Sequence, residues 1–124
     1  MDLSWIQLAG LMMFLAVTLG AFGTHSLRDK IPPASLEIFK TGILYQFVHS
    51  IGLFIVAWLV TQSADARVHF AGLFFLTGIF LFCGSLYLLA VTQAKWFGAI
   101  TPIGGLCFLA GWTLIIHSHY IQNF

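Results

Sequence analysis

The stretch FAGLFFLTGIFLFCGSLYLLAV (Phe70–Val91) decides the fold, because it runs for 22 residues without a charged side chain. About 20 apolar residues, at ~1.5 Å of rise each, cross the ~30 Å hydrocarbon layer of a bilayer. The run shows no alternation of apolar and polar residues, so it reads as a helix and not as a barrel strand. Working outward, three more runs of this kind appear: Trp5–Phe22, Ile43–Val60 and Phe97–Ile116. The five Lys or Arg and the four Asp or Glu all lie outside these runs. The 124 residues are 60% apolar and 7% charged, whereas a soluble domain carries about 25% charged residues. In lipid only helices and closed barrels satisfy the backbone polar groups. The expected architecture is therefore all-α: an integral membrane four-helix up-down bundle, residues 1–124 forming one domain. Its connections, Gly23–Gly42, Thr61–His69 and Thr92–Trp96, are short enough to join antiparallel neighbours.

Composition also excludes function classes. A net charge of +1 with no basic cluster argues against nucleic acid. Two Cys without a Cys-x-x-Cys pair provide no disulfide framework and no redox motif. Ala21-Phe22-Gly23 offers small residues of the kind found at a signal cleavage site. However, Asp2 and no Lys or Arg precede the first run, which is longer than the usual ~7–15 residue core of a signal peptide. The first run is read as a retained span.

The segment before the second run carries most of the charge. Ile31-Pro32-Pro33 cannot sit inside a helix, because an interior Pro lacks a donor and clashes with the preceding turn. A helix beginning at Pro33 or Ser35 places Glu37 in its first turn, where the helix dipole favours an acid. The stretch from about 34 to 42 is expected to lie at the membrane surface as an amphipathic start to the second helix. Leu36, Phe39, Ile43, Leu44 and Phe47 fall on one side, with Glu37, Thr41, Tyr45 and His49 as a stripe beside them. Trp5, Trp58, Trp96 and Tyr120 lie at span ends, as interfacial aromatics do. Trp112 is read as lipid-facing or packing. Counting Lys and Arg, the first and third loops face the cytoplasm and both termini lie outside.

Within the second run, TGILYQFVHS (Thr41–Ser50) brings polar side chains to membrane depth. Counting rise from the first-loop side puts His49 level with Leu15–Gly20, Cys83-Gly84-Ser85 and Gly104-Gly105-Leu106-Cys107. The small residues Gly20, Gly23, Gly42, Gly78, Gly84, Gly104, Gly105 and Gly111 are expected to let helices approach. His25, Thr41, Tyr45, Gln46, His49, Ser50, Ser85 and Thr101 form the candidate polar cluster, either binding a ligand or bonding helix to helix. His49 with Cys83 and Cys107 would be thiolate and imidazole ligands of a metal, but no local ligand spacing supports such a site. His25 and His49 lie roughly 12 Å apart in depth, which suits a single haem iron badly. His69, His117 and His119 gather at the opposite face as exposed interfacial residues. No nucleophile–base pair, carboxylate pair or phosphate loop is present, so no catalytic residue, metal or cofactor is assigned.

GAFGTH (Gly20–His25), TG-x-x-YQ-x-x-H (Thr41–His49), LFCGSLYLLA (Leu81–Ala90) and TPIGGLCFLAGW (Thr101–Trp112) occur in order along the chain. Together they resemble the family called domain of unknown function 423. That family groups small bacterial inner-membrane proteins with animal transmembrane protein 256. The resemblance spans nearly the whole chain and implies a multi-pass protein of the plasma (inner) membrane without a known catalytic residue. It also implies both termini inside, opposite to the charge count. The sequence departs from the family pattern at Thr24, Cys83 and Cys107. The functional expectation is a non-enzymatic packing or accessory protein, surrounded by the lipid bilayer and associating with itself or a membrane partner. The alternative is an oligomeric transporter, or a unit binding an ion, lipid or quinone through His25, Tyr45, Gln46 and His49. In that reading the ring of His25 closes over the Tyr45–Gln46–His49 stripe.

Overall fold

A computed structural model describes residues 4–118; Asp2, His119 and Tyr120 lie outside them. Four long apolar helices follow one another: α1 (Trp5–Leu27), α2 (Pro33–Gln62), α3 (Ala66–Thr92) and α4 (Lys95–Ile116). No strand occurs among the described residues. Each helix outruns its apolar stretch, because hydropathy marks the hydrocarbon layer while helical hydrogen bonding continues into the interface. The loop expected at 23–42 shrinks to residues 28–32, and the predicted surface segment is the continuous first part of α2.

Local chemistry sets the ends. Ser4 caps α1 reciprocally with Gln7: the Gln7 amide donates to Ser4 Oγ at 3.3 Å, and the Ser4 amide donates to Gln7 Oε1 at 2.9 Å. Pro33 occupies the first turn of α2, where its missing donor has no helical partner to lose. Asp65 accepts from the Arg67 amide at 3.0 Å and from Arg67 Nε at 3.2 Å, capping α3. α3 ends at Gln93, whose amide donates the last helical bond to the Leu89 carbonyl at 2.8 Å and whose φ of 58° turns the chain out of the helix. A left-handed conformation costs a non-glycine residue roughly 1–2 kcal/mol. Gln93→Gly is therefore expected to stabilise the protein by up to about 1 kcal/mol. An upward shift of the unfolding midpoint in mixed detergent micelles is the readout.

α1 and α3 each contain one wide π turn, Leu19–Gly23 and Ile79–Cys83, in which an extra residue is accommodated without ending the helix.

α2 and α3 form the centre. α1 packs along α2, α4 packs along α3, and the α2–α3 contact joins the two hairpins. The main core gathers Leu53, Val56 and Leu59 of α2 with Val68, Ala71 and Phe75 of α3. In lipid such a core gains little from apolar burial, and close packing takes its place. The α3–α4 seam shows this best: a Cβ at Gly104 would strike the backbone of Phe82, one at Gly78 the ring of Phe108, and one at Gly111 the ring of Phe75. Gly42 gives way to Tyr87 in the same manner, and Gly20 and Gly23 lie in looser contact with Ile43 and Phe39. Two of the expected packing glycines make no tight contact. A Cβ at Gly84 would meet nothing within 4 Å, because Gly84 faces a crevice, and one at Gly105 would sit at an ordinary 3.8 Å from the Phe82 ring.

Candidate functional site

The polar residues of α2 project from neighbouring turns, three and four residues apart, and so share a face. Gln46, His49 and Ser50 are all buried. The Ser50 hydroxyl donates to the Gln46 carbonyl one turn back, at 2.6 Å. Gln46 reaches both neighbouring helices: its Nε2 donates to the Met12 carbonyl of α1 at 2.8 Å, and its Oε1 accepts from the Tyr87 hydroxyl of α3 at 2.6 Å. A carbonyl can only accept, so Met12 fixes which way the amide points.

His49 is held as firmly. Trp112 Nε1 donates to His49 Nε2 at 3.0 Å. An indole nitrogen is only a donor, so Nε2 must offer its lone pair. The ring proton of the neutral imidazole then sits on Nδ1, 2.8 Å from the Tyr45 carbonyl that accepts it. Both ring nitrogens are engaged in a single tautomer. The ring stacks on Phe108, with centroids 3.5 Å apart and planes 9° apart, and meets the edge of Phe75 at 5.6 Å. Further along the α3–α4 seam, the Ser85 hydroxyl donates to the Phe82 carbonyl at 2.9 Å. With that proton committed, Thr101 becomes the donor in the 2.6 Å contact between the two hydroxyls.

Two expected cluster members, His25 and Thr41, are placed differently, while Tyr45 stays beside His49. His25 lies on the exposed last turn of α1, with Nδ1 3.4 Å from Arg28 Nη2. Because α1 remains helical to Leu27, it carries His25 outward, and the ring does not close over the α2 stripe. Thr41 is exposed and donates to the Glu37 carbonyl at 3.0 Å. Tyr45 is half-exposed, with its ring 4.5 Å from that of Phe82. At the other membrane face Trp5 Nε1 donates to His69 Nδ1 at 3.0 Å, and His117 Nδ1 lies 2.8 Å from the Thr113 carbonyl. Among the described residues no three of His, Cys, Asp or Glu come together as metal ligands.

Sequence reasoning missed two partners, Trp112 and Tyr87. Trp112 was the Trp set deepest inside its apolar run, and Tyr87 stood among apolar residues near the depth of Gln46. Each signal marked a polar tip in need of a partner inside the bilayer.

Two crevices flank this polar interior. One, of about 460 Å³, lies between α2 and α4 beside His49 and Trp112. The other, of about 250 Å³, separates Met12 and Leu15 of α1 from Phe80 and Gly84 of α3, with Gln46 and Tyr87 in its wall.

A four-span, all-helical membrane protein with polar side chains bonded between its helices is thus the class that fold and site define. The family described as "Protein of unknown function (DUF423)" matches residues 19–105, and the chain belongs to that family. It is 46% identical over 113 residues to the UPF0382 membrane protein YwdK of Bacillus subtilis, covering 90% of this chain and 92% of the relative. It is 39% identical to the UPF0382 membrane protein SH2409 of Staphylococcus haemolyticus, covering 94% of each chain. A UPF0382 membrane protein of Staphylococcus epidermidis is 40% identical over 112 residues, covering 90% of this chain and 91% of the relative. No solved structure matches.

Proposed function

We propose that the protein is a non-enzymatic accessory protein of the plasma membrane, acting by packing within the bilayer against itself or a membrane partner. The observation that supports this most is the state of His49, the histidine buried at membrane depth. Both of its ring nitrogens are taken by Trp112 and Tyr45. A general base or a ligand-binding histidine needs a free nitrogen within reach of its substrate. Gln46, Ser50 and Ser85 are likewise bonded to neighbouring helices or backbone. These residues act as struts that hold four helices in one arrangement.

The test is association in native membranes. Cross-linking there, followed by purification in mild detergent and native mass spectrometry, is expected to yield a defined homo-oligomer or one stoichiometric membrane protein. A monodisperse monomer with no companion would remove this reading. A proton- or solute-coupled flux in liposomes, above that of empty vesicles and lost in His49→Ala, would replace it with the transporter reading.

A further inference from the structure

The crevice between α1 and α3 combines three features. It is flanked by both wide turns of the molecule, with Leu19 from the first and Ile79 and Phe80 from the second in its lining. Such π turns recur at functional sites. Gly84 leaves room in it, since a Cβ there would meet nothing within 4 Å. Its wall is apolar except for Thr18 and the bonded pair of buried Gln46 and half-buried Tyr87. The mouth lies between half-exposed Leu15 and exposed Phe80, so access is from the lipid.

The polar pair has capacity left. A side-chain amide has two N–H donors, and Met12 is the acceptor for one of them; among the described residues no acceptor takes the second. At about 250 Å³ the space exceeds the ~150 Å³ of an engineered apolar cavity that holds benzene. Depth narrows the occupant further. Exposed Lys40, paired with Glu37 at 3.5 Å, marks the water side, and Gln46 lies six residues beyond it, roughly 9 Å deeper. The ester carbonyls of a phospholipid stay at the hydrocarbon boundary, above that level. A neutral molecule dissolved in the membrane can bring a carbonyl down to it.

We propose that this crevice binds a neutral lipid-soluble molecule with a ring ketone, of the quinone type, on an apolar chain. The carbonyl oxygen accepts from the free Gln46 N–H, and the ring and first chain carbons fill the space beside Gly84. Nothing in this requires chemistry on the ligand, so it is compatible with a non-enzymatic protein and goes beyond that reading.

The probes are a decyl-substituted benzoquinone and decylbenzene, titrated by equilibrium dialysis against the full chain in lipid nanodiscs. Saturable binding of one quinone per chain is expected, at least ten-fold tighter than decylbenzene. Gly84→Leu fills the crevice from a position where an added Cβ meets nothing within 4 Å, so it is expected to keep the wild-type unfolding midpoint and lose binding at least ten-fold. Gln46→Leu is expected to abolish the preference for the quinone over decylbenzene. Non-saturable uptake, equal affinity for the two probes, or undiminished binding by folded Gly84→Leu would each overturn the proposal. So would a phospholipid that native mass spectrometry finds in the crevice and that the quinone does not displace.

Discussion

Gly104→Ala is expected to destabilise the fold by an amount near the upper end of the ~1–3 kcal/mol typical of overpacking. The new methyl group would land on the backbone nitrogen and Cα of Phe82, not on the end of a side chain that could rotate away. Relief requires α3 and α4 to separate. That movement would also loosen Gly78 against Phe108 and Gly111 against Phe75. The adjacent Gly105→Ala supplies the control, because its methyl group would make only an ordinary contact at 3.8 Å. It is expected to change stability by less than about 0.5 kcal/mol. Unfolding both variants by sodium dodecyl sulfate titration in mixed micelles separates the two cases. Equal midpoints for Gly104→Ala and Gly105→Ala would show that the seam is not as tight as described.

His49→Ala is expected to be the most damaging single change in the polar interior, at about 3 kcal/mol or more. Truncating a buried ring typically costs about 3–5 kcal/mol. Here the vacated space lies between Phe108 and Phe75, and the Trp112 N–H loses its acceptor. An orphaned buried donor adds about 1–3 kcal/mol where it cannot find water. Ser85→Ala breaks an ordinary interhelical hydroxyl pair, for which membrane measurements average about 0.6 kcal/mol. Trp112→Phe keeps most of the packing and removes only the donated bond, so it is expected to fall between the two. If His49→Ala and Ser85→Ala unfold at the same detergent fraction, His49 is not the central strut.

The four spans were legible because charge is excluded from hydrocarbon so strongly that Asp65, Arg67 and Lys95 mark the links by themselves. Pro33 announced the start of α2 through its missing donor. Rise counting also placed Ser85 near Thr101's helix, and the two hydroxyls do meet. Partners across helices were harder to read. The rotation of α4 about its axis decides whether Trp112 faces lipid or His49, and a uniformly apolar helix carries no stripe that records that rotation. The same gap explains Gly84 and Gly104, both small and at similar depth, one facing a crevice and the other a backbone. His25 failed for a different reason. The expected loop at Gly23 would have let it fold back, whereas hydrogen bonding carries α1 helically through the wide turn to Leu27.

The wide turns at Leu19–Gly23 and Ile79–Cys83 have a further consequence, for how the chain tolerates changes of length. Each is a helix that has absorbed one surplus residue. Removing a single residue there, Ala21 for instance, would restore regular winding and leave the helix beyond the cut facing nearly the same neighbours. In a helix without such a turn, the same deletion would turn everything beyond the cut by roughly 100° and draw it in by about 1.5 Å. In α3 the wide turn thereby protects Ser85 and Tyr87, whose bonds to Thr101 and Gln46 such a rotation would undo. The two irregularities are thus places where the chain can lose a residue without rewiring the contacts between helices.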